Sequence, residues 1–304
     1  MHTLIAGGEE YIDIDSYACL IALAELFALE RRAVSALVPD TINYSVPHSL
    51  VVSNEHIVTQ CPGESYEAYV VDLSNPDDMA SCVDRKKIVG IFDHHHGFEE
   101  YWQDRLGERA VIEMIGAAAT LIWEEWGRRE LKSDILPATA RLLAFAIASN
   151  TGNFGISITS SRDRDAFAEL SVIAVEREGW TEALFREVDR QALADIHTTL
   201  RLDTKIAEYP NMGAVSAGQL ELWDGASFFQ RHMSVVDEVL DTFGAPRWFM
   251  SVPCLSEQRN YLYTKDRELQ ELLSRFTNAV FDEHGLAVTD RLIYRKELYK
   301  QFMS

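Results

Sequence analysis

The chain has 304 residues, 47% of them hydrophobic and 25% charged, which excludes a disordered or fibrous protein and leaves room for about two domains at ~150 residues each. Its formal charge of −20 excludes a nucleic-acid duplex as a bulk partner, because duplex binding rests on clustered Lys and Arg. A small anionic ligand stays open, since a bound cation or a local basic patch reverses the field within a cleft.

In chain order, residues 3–6 read as a strand and 16–31 as a helix with alanine and leucine on its buried face. Between them lies Asp13-Ile14-Asp15-Ser16. Residues 34–38 and 68–73 read as strands, the latter carrying Val70-Val71-Asp72. The apolar run 87–92 is a further strand and leads directly into Asp93-His94-His95. A short strand at 111–114, a helix over 117–126 and a strongly apolar helix over 137–149 follow, the last running into Asn150-Thr151-Gly152-Asn153. Strands alternating with helices predict an α/β fold whose parallel sheet has helices on both faces. Ligands of such sheets bind beyond the carboxyl ends of the strands, where Asp72 and Asp93 fall.

The stretch 162–201 is charged and amphipathic and reads as helices leading to a hinge near 189–195. Beyond it, strand-like runs at 211–222, 248–252 and 260–264 interleave with helical patterns at 237–243 and 268–281. A second, smaller α/β domain is expected, dividing the chain into 1–189 and 190–304. The cysteines, Cys19, Cys61, Cys82 and Cys254, are scattered without a CxxC pair, so reduced thiols in a cytoplasmic protein are expected rather than a disulfide framework. The N-terminus has no basic stretch followed by a long apolar run, so no signal peptide is expected. The longest apolar segment, about 19–29, is broken by Glu25 and too short to span a bilayer, so no membrane partner is expected. No Walker A or dinucleotide fingerprint occurs.

Carboxylate oxygens and imidazole nitrogens gathered at strand ends suit divalent ions such as Mn²⁺ and Mg²⁺. Each residue also has a plainer reading. Asp13 and Asp15 are good helix caps. Asn150 and its neighbours suit a turn, and His94 and His95 could be buried, satisfied histidines.

Four segments in this order, Asp13-Ile14-Asp15-Ser16, Val71-Asp72, Asp93-His94-His95 and Ala148-Ser149-Asn150-Thr151, resemble the DHH phosphoesterase superfamily. Gly116-Ala117-Ala118-Ala119-Thr120 and Thr159-Ser160-Ser161-Arg162-Asp163 extend the likeness. Leu202-Asp203-Thr204-Lys205 and Tyr294-Arg295-Lys296-Glu297 are similar to basic segments of the family II inorganic pyrophosphatases. Exopolyphosphatases and prune-like proteins share that DHH-associated type of C-terminal domain. The nuclease branch has a glycine-rich GGGH-type motif, for which Glu283-His284-Gly285 is no match.

The resemblance implies a parallel-sheet DHH domain, a phosphate-binding C-terminal domain and an active site in the cleft between them. It implies that Asp13, Asp15, Asp72 and His94 are metal ligands, with Asp72 bridging two ions, Mn²⁺ or Mg²⁺, with Co²⁺ as a substitute. His95, Lys205, Arg295 and Lys296 then hold phosphate oxygens, and Asp93 orients the histidines. Asp72, His95 and Asp93 are the catalytic set. The implied reaction is attack of a metal-bridging hydroxide on a phosphoanhydride, such as pyrophosphate or short polyphosphate. A homodimer is compatible with it. Two positions depart from the family pattern. Glu9 stands where the pyrophosphatases have a histidine ligand, and Asn150 stands where they have an aspartate. Both remain candidates for the ligand set, with one of the two ions held more weakly because an amide oxygen is a poorer ligand than a carboxylate. The alternatives are a phosphodiesterase on short oligonucleotides or cyclic dinucleotides, and a catalytically weakened protein that binds a phosphorylated ligand.

Overall fold

The computed structural model describes residues 1–9, 12–39, 41–53, 55–63, 65–175, 177–209 and 212–302. The chain divides into two compact units, Met1–Thr181 and Glu182–Ser304. The first opens with β1 (His2–Ala6), α1 (Ile14–Leu29), β2 (Ala33–Leu37), β3 (Ile57–Val58), β4 (Tyr66–Val71) and β5 (Ile88–Asp93). It continues with α2 (Glu99–Leu106), β6 (Ala110–Ile112), α3 (Ala118–Arg128), α4 (Pro137–Asn150) and α5 (Ser161–Ile173). Its strands form a six-stranded sheet in the order β3-β2-β1-β4-β5-β6, parallel at every pairing. The expected α/β fold is therefore present.

Strand order reverses between β1 and β4, and at such a switch point the connections leave to opposite faces and open a crevice. The loop after β1 and the first turn of α1 carry Asp13-Ile14-Asp15, and Asp72 follows β4. Helix α1 is apolar nearly all round and buries Ala18, Leu20, Leu23 and Phe27, as expected of a helix enclosed by the sheet, α3 and α4. Leu4, Ala68, Ile91 and Trp102 belong to one core cluster, and the Trp102 indole N–H donates to Ser74 O at 2.6 Å.

The second unit contains α6 (Trp180–Ala194, whose first turn begins in the other unit), α7 (Ile196–Asp203), β7 (Thr204–Tyr209), β8 (Gly213–Gln219) and α8 (Phe228–Leu240). Then come β9 (Arg247–Cys254), β10 (Arg259–Tyr263), α9 (Arg267–Thr277), β11 (Leu286–Val288) and α10 (Arg295–Phe302). The sheet order is β11-β10-β9-β8-β7, with only β8 and β9 parallel. Asn211, the start of the expected 211–222 strand, lies outside the described residues.

Several expectations need correction. Cys61 and Cys82 form a disulfide, with Cα atoms 6.0 Å apart and a sequence separation of 21, so not all thiols are reduced. That spacing has no local signature; the loop before β4 and the loop after it are brought together only by the sheet. Cys19 and Cys254 are free and buried. Within the stretch read as a hinge, α6 runs to Ala194 and breaks at Asp195, whose side chain caps α7 through Thr198 N–H at 3.2 Å. Helix α8 starts at Phe228, well before the expected 237. Among the described residues, no helix is long and apolar enough to cross a membrane.

Candidate metal centre

Asp72 follows the last residue of β4, and its N–H still donates to Phe92 O of the neighbouring β5 at 2.8 Å. Its φ of 55° is in the left-handed region, which a non-glycine residue enters only when its surroundings hold it there. The side chain is thereby turned inward, with the residue only 7% exposed. Oδ2 accepts the Ser16 hydroxyl at 2.5 Å. Oδ1 is buried without a hydrogen bond and lies 3.3 Å from His94 Nε2 and 3.8 Å from His95 Nδ1.

The α1 N-terminus supplies the other acids. Asp13 is the N-cap, its Oδ1 accepting Ser16 N–H at 3.0 Å, so the plainer capping reading holds for that oxygen. Asp15, in the first turn, is fully buried. Its oxygens accept Ala118 N–H at 2.8 Å and Ala119 N–H at 2.9 Å, the unpaired amides at the start of α3. Asn150, the last residue of α4, donates its side-chain amide to Asp15 Oδ2.

Asp93 closes β5 and is fully buried. Its Oδ1 accepts His94 N–H at 2.7 Å, His95 N–H at 3.1 Å and the His95 ring Nδ1–H at 2.8 Å. These bonds tie both histidines to one buried carboxylate oxygen. His94 Nδ1 lies 3.0 Å from Ile115 O. A carbonyl only accepts, so Nδ1 carries the proton and Nε2 is the nitrogen that faces Asp72 and, at 3.9 Å, Asp15 Oδ2. A second partner that fixes the tautomer in this way is what a metal-binding imidazole requires.

Asp163 supports this arrangement, although nothing in its local sequence marks it beyond the resemblance of its segment. Fully buried, it accepts Gly116 N–H at 3.1 Å, Thr120 Oγ1–H at 2.7 Å, and Ser160 N–H and Oγ–H at 2.8 Å each. It thus anchors the 115–120 segment, whose Ile115 carbonyl and Ala118 and Ala119 amides hold His94 and Asp15. A Cβ on Gly116 would sit 2.5 Å from Thr151 Cγ2 and 2.7 Å from Asp163 Oδ2, so only glycine fits.

Crowded carboxylates perturb one another. Burial and the nearby Asp72 charge push Asp13 up to about 6 and Asp15 up to about 8. Burial also works to raise Asp72, but the His94 and His95 charges outweigh it and hold Asp72 below its usual range. Burial works to lower His94, yet Asp72 and Asp15 lift it to about 10. Facing these two carboxylates, the His94 ring holds its proton more tightly than an ordinary imidazole.

One ligand atom each from Asp72, His94 and His95 lies within 4.8 Å of the others. A buried carboxylate oxygen without a hydrogen bond, facing an imidazole of fixed tautomer, fits a divalent cation of borderline hardness. His95, expected on phosphate, falls in this group. Glu9 does not: its oxygens accept Ser81 N–H at 3.1 Å and Ser81 Oγ–H at 2.5 Å on an exposed surface. Lys205, Arg295 and Lys296 belong to the second unit. Lys205 and Lys296 are exposed, whereas Arg295 is partly buried and its guanidinium donates to Asp203 O and, at 3.0 Å, Ala217 O.

No family model matches the chain. A protein of an Exiguobacterium species described as a probable manganese-dependent inorganic pyrophosphatase is 23% identical over the whole of this chain and 98% of its own length. An A-adding tRNA nucleotidyltransferase of Aquifex aeolicus is 27% identical over 84% of this chain, which spans only 32% of that protein. Among solved structures, a proposed family II inorganic pyrophosphatase of Methanococcus jannaschii superposes with a TM-score of 0.61 at 19% identity, covering 99% of both chains. An exopolyphosphatase-related protein of Bacteroides fragilis does so at 0.51 and 12% identity, covering 99% of this chain and 90% of its own. The fold is the one these proteins share, as the order of the motifs implied.

Proposed function

We propose that this protein is a divalent-metal-dependent phosphohydrolase acting on phosphoanhydride bonds, with inorganic pyrophosphate or short polyphosphate as substrate and Mn²⁺ or Mg²⁺ as the metal. The observation that carries the reading is the unpaired, buried Asp72 Oδ1 facing His94 Nε2 at 3.3 Å, at the switch point of a parallel sheet. The manganese-dependent relative supports the choice of metal. Bound there, a divalent cation supplies Lewis acidity toward phosphoryl oxygens and acidifies water.

The chain's own residues do the positioning. Asp93 fixes both histidines through their backbone amides and the His95 ring, and Ile115 O holds the His94 proton at Nδ1. Ser16 restrains Asp72 from the other side. His95, with a side chain 41% exposed, is proposed to offer its outer edge to a phosphate oxygen. Lys205, Arg295 and Lys296 are proposed to balance the charge of the phosphoryl groups. A second reading, a protein that binds a phosphorylated ligand with weak turnover, is favoured by Glu9 and Asn150, whose side chains are engaged by Ser81 and Asp15.

The test is phosphate release from pyrophosphate, polyphosphates and dinucleotides with Mg²⁺, Mn²⁺ or Co²⁺, using Asp72→Ala as the blank. Release from pyrophosphate or polyphosphate above that blank is expected. Activity on dinucleotides alone would replace the substrate, and no activity alongside ligand binding would leave the weakened-binder reading.

A further inference from the structure

The motif order implies a pair of ions, but the hydrogen bonds of the carboxylates point to a different number. Asp15 is already satisfied: Oδ1 takes Ala119 N–H, and Oδ2 takes Ala118 N–H and the Asn150 amide. The Asn150 side chain turns its N–H₂ group, and not its carbonyl oxygen, toward Asp15. Asp72 Oδ2 is committed to Ser16, Asp13 Oδ1 to the Ser16 N–H, and both oxygens of Glu9 to Ser81. Two carboxylate oxygens of the site are buried without a hydrogen bond, Asp72 Oδ1 and Asp93 Oδ2, and of these residues Asp72 is the one grouped with His94 and His95. Among the described residues, that is the one group of ligand atoms that converges.

We propose that the site holds a single divalent cation, bound through Asp72 Oδ1 and His94 Nε2, and that the Asn150 amide takes the place of a second ion at Asp15. The inference rests on the metal-dependent reading above. Asp15 is stabilised in this arrangement by three N–H donors rather than by coordination, and the neutral amide of Asn150 adds no charge to attract another cation. Replacing that donor with a carboxylate would set two acidic side chains face to face, an arrangement relieved by a shared proton or by a cation between them.

Chelator-stripped protein titrated with Mn²⁺ alone provides the test, with bound manganese counted by elemental analysis and its magnetic state read by electron paramagnetic resonance. One ion per chain is expected, with the spectrum of an isolated Mn²⁺. In Asn150→Asp the count should rise to two, with an exchange-coupled spectrum. Two ions in the unaltered protein overturn the proposal, and a single ion in folded Asn150→Asp overturns the role given to Asn150. If that variant does not fold, the count in the unaltered protein decides. An absence of bound manganese would overturn the metal-dependent reading itself and the proposal with it.

Discussion

At Asp72, Asp15 and His94 the chain gathers more charge than a buried site tolerates, and protons make up the difference when no cation is present. Asp15 keeps its proton up to about 8 and His94 up to about 10, both above their ordinary ranges. A group whose proton is held more tightly in the folded state stabilises the fold at low pH, and that contribution is lost as pH rises through the folded value. For Asp15 the loss runs from its ordinary 3.8 to about 8, and for His94 from 6.5 to about 10. The metal-free protein should therefore melt at a lower temperature at pH ~9 than at pH ~6. Saturating Mn²⁺ should largely abolish that difference, because the cation replaces the protons. The same exchange predicts proton release on Mn²⁺ binding at neutral pH, read by calorimetry in buffers of different ionisation enthalpy. An apo melting temperature that rises across that interval would contradict this account of the site.

At the scale of elements, the site depends on a short connection, 115–118, that no ligand occupies. Gly116 packs against Thr151 and Asp163, while Ile115 O holds His94 and Ala118 N–H holds Asp15. Gly116→Ala must push this connection aside, with an expected cost of about 1–3 kcal/mol in urea denaturation, the usual range for overpacking. If His94 holds the ion as proposed, Mn²⁺ affinity should fall with it, since the displaced Ile115 carbonyl orients that ring. An unchanged affinity would show that the connection does not position it. The long, strongly patterned elements, β1, α1, β4, β5, α3 and α4, were legible because apolar runs and helical periodicity are local properties. Strand β3 has two residues and β11 three, too few to show a pattern. Helix α2 buries only Trp102 and Leu106 among its eight residues, and α10 was read as a basic segment rather than as a helix.

For the molecule as a whole, a formal charge of −20 makes each cation that could meet a phosphate valuable. Lys296 is exposed at the start of α10, so Lys296→Ala should leave the melting temperature unchanged. If Lys296 binds phosphate as proposed, KM for pyrophosphate should rise about tenfold or more. Equal KM values in steady-state assays would remove it from the phosphate set. The sequence by itself determined the α/β fold, the order of the motifs and the residue types that gather at the strand ends, because strand period and chain order are local facts. The tertiary structure alone decided which oxygens remain free. Asn150 and Asp15 are 135 residues apart, Ala118 and Asp15 are 103 apart, and Ser81 and Glu9 are 72 apart. The Cys61–Cys82 disulfide closes across β4 in the same way. Hydrogen bonds between such distant residues leave no periodic trace, so the availability of a carboxylate for metal is a property of the packed fold.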